Sequence, residues 1–262
     1  MTIAPHAPQR IRTSTSLASA QRARALCAGL VLVLSAGFAQ AQVGPQPFTV
    51  TYDILRGGVG AATAEYRLTR EGERYRYEAE AKPRTLLRLI VGNRKAKEIS
   101  EGIIGADGQA LPLDYYHDPA NEERIERTEF KRSASNPVVI MTYKDKTRTE
   151  PLAPDIMDKM ALQLNAMHAL RAGQTRIDYR IAERRKLRHY PFRVIGTDEI
   201  ETELGKLSTV KIERLSEGRR TTFWLAPDLG YVIVQAEQQK NDDAIVQLRI
   251  TGLEGQPFGP AH

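Results

Sequence analysis

Cysteine is almost absent from this chain: its 262 residues hold one, Cys27. That residue falls in a segment with the marks of a removable leader. The rest of the chain therefore has no thiol nucleophile, no cysteine-based zinc site and no disulfide framework. Histidine is scarce too. Beyond the leader only His117, His168, His189 and His262 occur, none in an H-x-H or H-E-x-x-H spacing, and His262 is the last residue. No metal site is expected from such a set. His117-Asp118 precedes Pro119 and is expected to be a hydrogen-bonded loop histidine, since a lone imidazole is no catalytic constellation. Neither a G-x-S-x-G elbow nor a Walker loop is present, and no cofactor is expected. Low-complexity linkers and internal repeats are also missing, which favours one domain.

Long apolar runs are missing as well, and the nearest approach to one is informative. Residues 1–24 carry Arg10, Arg12, Arg22 and Arg24 and no acid. An uncharged stretch from Ala25 to Phe38 follows and ends on Ala39-Gln40-Ala41. A basic segment, a short apolar segment and a small-x-small site make a secretory signal, expected to cover residues 1–41. The apolar part falls short of the roughly 20 residues that a membrane span needs. Without the four arginines, 34 basic residues (of 38) face 32 acidic ones. The sequence pI near 9.4 therefore comes largely from the leader and is no argument for a nucleic-acid partner. Export to the periplasm is the expected localisation. Residues 42–262 are long enough for an ordinary core, burying roughly 70–75% of the unfolded surface.

What the chain has in quantity is alternation. Phe48, Val50, Tyr52 and Ile54 alternate with Thr49, Thr51 and Asp53; Tyr75, Tyr77, Ala79 and Ala81 alternate with Arg76, Glu78 and Glu80. The same rhythm recurs over 176–181, 232–237 and 246–250, with further runs at 61–69, 96–104, 111–116, 124–132, 137–143, 189–195, 198–204, 207–215 and 219–226. Period two with one polar face predicts antiparallel strands over a core. Turn residues separate them at Gly57-Gly58, Glu71-Gly72, Asp107-Gly108, Asn136-Pro137, Glu217-Gly218 and Asn241-Asp242. No βαβ rhythm occurs. One segment differs. From Asp155 to Ala172 there is no Gly or Pro, and Ile156, Met157, Met160, Leu164, Met167 and Leu170 fall at helical spacing. Asp155 is the expected N-cap and Gly173 the stop. A weaker helical piece is expected at 85–91. The predicted fold class is mainly β: a strongly curved antiparallel sheet, or open half-barrel, packed on one central α-helix, with a loose tail from about residue 255.

Several motifs admit two uses. Gly58-Val59-Gly60 has half of a dinucleotide fingerprint, but a strand follows it, so a hairpin turn is expected. Glu199, Glu201 and Glu203 share one strand face, expected to be solvated. Arg184, Arg185, Lys186 and Arg188 form the densest basic cluster, either a charged edge that discourages strand pairing or a patch for an anionic partner. Met157, Met160 and Met167 bring three methionines to one helix face. Flexible, polarisable side chains suit a pocket for irregular apolar cargo as well as they suit plain core.

Four segments together resemble the DUF3108 family of exported bacterial proteins. They are Phe48-Thr-Val-Thr-Tyr52 with Gly58-Val-Gly60-Ala61; Asp158-Lys-Met-Ala-Leu-Gln-Leu164; Gly196-Thr-Asp-Glu-Ile-Glu-Thr-Glu-Leu-Gly205; and Trp224-Leu-Ala-Pro-Asp228 before a strand. Ala161 stands where the family's pattern has a serine, and Ile233 where a proline often stands. The resemblance implies an exported β-rich fold akin to the half-barrel of periplasmic lipoprotein carriers; it carries no assigned activity and no catalytic residues. Trp224 is expected to anchor the core through its ring and N–H, and Asp228 to cap a turn.

The expectation for function is a non-enzymatic binding or carrier protein of the cell envelope for an apolar or lipid-like ligand. Its candidate contacts are Met157, Met160, Leu164, Met167 and Trp224. The alternative is an interaction module that binds another envelope protein through an exposed strand edge or the 184–188 cluster. A hydrolase-type enzyme ranks last. No nucleic-acid partner is expected, and no membrane span once the leader is gone.

Overall fold

The computed structural model describes residues 43–84, 94–132, 135–216, 218–241 and 243–258. The expected leader, the helical piece at 85–91 and His262 lie outside them.

The strands are β1 (Phe48–Arg56), β2 (Val59–Glu71), β3 (Arg74–Pro83), β4 (Ala96–Ile104), β5 (Ala110–Asp118), β6 (Glu126–Lys131), β7 (Val138–Tyr143) and β8 (Lys146–Pro151). After these come β9 (Ile156–Met157), the helix α1 (Lys159–Arg171), and then β10 (Arg176–Glu183), β11 (Lys186–Thr202), β12 (Gly205–Ser216), β13 (Arg219–Ala226), β14 (Val232–Lys240) and β15 (Val246–Gly255). All fifteen join in one sheet, in the order 8-7-6-5-4-3-2-1-15-14-13-12-11-10-9. Every ladder is antiparallel except the short β9–β10 pair. The first half of the chain winds outward from β1 to β8. The second half winds back from β9 to β15, which pairs with β1 at the centre.

This order dictates shape. Strands lie about 4.8 Å apart, so a flat sheet of fifteen would hold its edges roughly 65 Å from each other. The chain passes from one edge, Pro151, to the other, Ile156, through residues 152–155 alone. Fully extended, that link reaches at most about 18 Å. The sheet must roll until its edges approach, and β10 does touch β6 and β7. No ladder joins β8 to β9, so the sheet stays open. Side chains stitch the seam instead. The Glu126 carboxylate accepts from Arg184 N–H at 2.6 Å, and the Arg132 guanidinium donates to the Ile156 carbonyl at 3.2 Å.

The helix begins later than its periodicity predicts. Asp158, not Asp155, is the N-cap: its carboxylate accepts from Met160 N–H and Ala161 N–H, both at 2.8 Å. Asp155 is taken by a two-pronged pair with Arg180 at 2.6 and 2.7 Å. Its carbonyl also receives Arg180 N–H, which draws Ile156 and Met157 into β9 beside β10. Met157 is thus a strand residue. The far end of α1 matches the expectation. Gly173 has φ +77°, Gly173 N–H reaches the Leu170 carbonyl and Gln174 N–H reaches that of Ala169, a Schellman pair of bonds. A Cβ at Gly173 meets nothing within 4 Å, so Gly173→Ala isolates the backbone effect. It is expected to lower stability by about 1 kcal/mol, read as a lower urea midpoint with an unchanged m-value.

Two hairpins escape the sequence pattern. Lys144-Asp145 and Arg184-Arg185 turn tightly with positive φ at both positions and no glycine. The predicted segments 189–195 and 198–204 are one strand, β11, interrupted by a register shift between Val194 and Gly196. At Gly57 and Gly58, φ of +57° and +82° makes the expected hairpin.

Candidate functional site

A cavity of about 420 Å³ lies between α1 and the strands that face it. The helix contributes its first turn and one face: Lys159, Met160, Leu162, Gln163 and Ala166. Aromatic and aliphatic walls come from Tyr66, Phe192, Ile212, Phe223, Leu225 and Leu248. The volume lies toward the low end of the roughly 300–1,000 Å³ typical of small-molecule sites.

One end of this cavity is charged. Glu183, at the end of β10, accepts from Lys159 at 3.0 Å, Arg188 at 2.7 Å and the Tyr190 hydroxyl at 3.0 Å. These cations hold its carboxyl below the usual range, although burial pushes the other way and is the largest single influence. Glu98 accepts from the Tyr115 hydroxyl at 2.5 Å. Arg214, from β12, has its guanidinium carbon 3.6 Å from the centroid of the Tyr190 ring, an electrostatically attractive stacking. Alternation along β12 sets Val210, Ile212 and Arg214 on one face, and Ile212 and Arg214 are both buried. A charge at an inward position of that rhythm is the signal that marks this residue in the sequence.

A second polar cluster sits on the other side of the N-cap. The Asp158 carboxylate accepts from Ser100 Oγ at 2.8 Å, and Ser100 Oγ lies 2.9 Å from the Tyr75 hydroxyl. Ser100 and Asp158 have no exposed surface. Burial raises Asp158 to about 7, more than its donors lower it. With both groups sealed, this cluster ties β3 and β4 to α1 and offers a substrate no access.

Residues 47–248 match the sequence model of a family described as "Protein of unknown function (DUF3108)". This chain belongs to the DUF3108 family. No curated protein matches it. Among solved structures it is similar to a candidate exported protein with a YmcC-like fold from Bacteroides fragilis, at 9% identity and a TM-score of 0.35, covering 82% of this chain and 99% of that one. It is also similar to a candidate lipoprotein from Parabacteroides distasonis, at 10% identity and a TM-score of 0.32, covering 82% and 98%.

Within this DUF3108 chain the expected contact residues separate. Met160 lines the cavity. Met157, Leu164 and Met167 are buried but do not line it, and Met157 Sδ instead receives the Asn165 amide at 3.5 Å. Trp224 also lies outside the cavity. Its indole N–H donates to Asp198 at 2.8 Å, with Lys211 over the ring at 5.0 Å. The 3-10 turn at Pro227–Leu229 has no side-chain cap; Gly230, at φ +68°, ends it. Ala161, at the family's serine position, is fully buried and serves through its N–H.

The basic cluster splits in the same way. Arg188 pairs with Glu183, Arg184 lies 5.9 Å from the Tyr143 ring, and the Arg185 Nε is buried without a partner. The edge strand β8 is almost wholly exposed and carries Lys146, Arg148, Glu150 and Pro151, residues that discourage strand addition. Glu199, Glu201 and Glu203 are exposed. Among the described residues no group of three acidic, histidine or cysteine side chains is placed to hold a metal, and no helix is long and apolar enough to cross a membrane. His117 is a half-buried residue of β5 and not of a loop as expected, and desolvation lowers its pKa. His189 pairs with Asp178 on the surface.

Proposed function

We propose that this chain is an exported, non-enzymatic binding or carrier protein of the periplasm, which holds an apolar or lipid-like ligand in the cavity beside α1. In this reading the rolled sheet is a half-barrel wrapped on the helix, and the unclosed seam leaves room for exchange. The observation that carries it is the cavity itself, where aliphatic and aromatic side chains such as Met160, Phe192, Phe223 and Leu248 share the lining with a charged cluster about Glu183. The basic-apolar-small leader at residues 1–41 supports delivery to the periplasm.

The test is native mass spectrometry of protein purified from the periplasm, with displacement of a fluorescent fatty acid measured in parallel. A one-to-one adduct is expected, and Ala166→Phe, which places a ring in the cavity, is expected to weaken binding at least tenfold. Protein that is repeatedly empty and displaces no probe rules the reading out.

A further inference from the structure

We infer that the cavity selects a single-chain amphiphile with an anionic head, carboxylate or phosphate, and that Arg214 receives that head. This rests on the carrier reading and adds to it the chemical class of the ligand and the residue that recognises it.

Arg214 is 6% exposed, its Nε has no hydrogen-bond partner, and among the described residues its guanidinium makes no ion pair. Removing a charge from water costs several kcal/mol unless a partner repays it. Stacking on Tyr190 repays part. The nearby carboxylate does not supply the rest, because Glu183 is already engaged by Lys159, Arg188 and Tyr190. Among the residues that line the cavity Lys159, Arg184, Arg214 and Arg219 outnumber Glu98 and Glu183, and Glu126, which acts on Lys159 from outside the lining, still leaves one positive charge over. The uncompensated charge is positive, and an anion corrects it.

The ladder register explains why that anion should carry a chain. Arg214 stands opposite Thr221, and Thr221 opposite Gln238, so one row across β12, β13 and β14 is polar. The adjacent row is Ile212, Phe223, Ala236 and Leu248, each opposite the next. A head group on the first row directs an attached chain along the second. The volume, about 420 Å³, suits one such chain better than a two-chain lipid.

Calorimetry with the exported chain, using dodecanoate, dodecyl phosphate, dodecanol and inorganic phosphate as probes, tests this. Both anionic amphiphiles are expected to bind one-to-one, tenfold to a hundredfold tighter than dodecanol, the range of about 1.5–3 kcal/mol for a charged hydrogen bond. Inorganic phosphate is expected to bind much more weakly than dodecyl phosphate. In Arg214→Met the preference is expected to vanish through weaker dodecanoate binding while dodecanol affinity holds, and its Tm should equal or exceed that of the native chain. Equal affinity of the native chain for dodecanol and dodecanoate overturns the assignment and leaves the carrier reading standing. Inorganic phosphate binding as tightly as dodecyl phosphate overturns it too, in favour of a plain anion site. If no twelve-carbon probe binds, the carrier reading falls and takes this assignment with it.

Discussion

Asp158→Ala is expected to destabilise the protein by about 2–5 kcal/mol at pH 5, the sum of a lost N-cap, about 1–2 kcal/mol, and a buried hydroxyl stripped of its partner, about 1–3 kcal/mol. The carboxylate does two tasks at once. It accepts the Met160 and Ala161 N–H groups that open α1, and it holds Ser100, itself linked to Tyr75. Alanine orphans all of these in a place water does not reach, since Ser100 and Asp158 are fully buried. Asp158→Asn keeps an acceptor for the helix and a polar atom for Ser100, and should cost only about 1 kcal/mol, one ordinary hydrogen bond. Urea denaturation of the three proteins decides between them. Equal losses for Ala and Asn would mean that an amide does not replace the carboxyl's hydrogen bonds to the helix and to Ser100.

The pH dependence of the Asn comparison has a definite sign. Burial raises Asp158 from 3.8 to about 7, so the folded state holds this proton more tightly than the unfolded chain does. Its contribution to stability is full below pH 3.8 and is lost as pH rises to and through 7. At about 1.4 kcal/mol per pH unit, that loss reaches up to about 4 kcal/mol. Glu126, raised mainly by burial, pulls the same way; His117, lowered mainly by burial, pulls the opposite way and loses stability as pH falls. Both are common to the native chain and Asp158→Asn, so the difference between the two proteins reports Asp158 alone. That difference should move in favour of the Asn variant from pH 4 to pH 8, and a flat difference would contradict it.

The strands that cover the core are legible because each exposes one face: Phe48, Val50 and Tyr52 go in while Thr49, Thr51 and Asp53 go out. β8 has no such contrast. Lys-Thr-Arg-Thr-Glu-Pro is an edge strand with scarcely a buried residue, so hydrophobic periodicity has nothing to register. The turn before it, Lys144-Asp145, takes positive φ without a glycine to announce it. Two aspartates three residues apart both fit the start of α1, and the choice between them is made by Arg180, twenty-five residues away from Asp155. The methionine spacing is legible, but which methionine meets a cavity depends on the strands opposite, and only Met160 does. Arg214 is the reverse case. Its place in the alternation with Val210 and Ile212 is plain in the sequence, yet its lack of a partner is a fact of three dimensions.

Asn165→Ala should cost about 3–5 kcal/mol, since it abandons a buried N–H and a buried carbonyl together, each worth about 1–3 kcal/mol when left unmet. Asn165 lies in the middle of α1 with 1% of its surface exposed. Its Oδ1 accepts from Ala110 N–H at 2.7 Å and its Nδ2 donates to the Ala110 carbonyl at 3.0 Å. A helix side chain thereby stands in for a strand neighbour at the first residue of β5. Asn165→Leu keeps the bulk and loses the bonds, so it should be nearly as damaging as alanine; Asn165→Asp restores the acceptor but sets a carboxylate against the Ala110 carbonyl and should fall between native and alanine only at low pH, where it is protonated. Amide exchange at Ala110 is the direct readout, expected to accelerate in Asn165→Ala more than exchange elsewhere in β5. Unchanged protection there, with a loss under about 1 kcal/mol, would show that another donor and acceptor replace the amide.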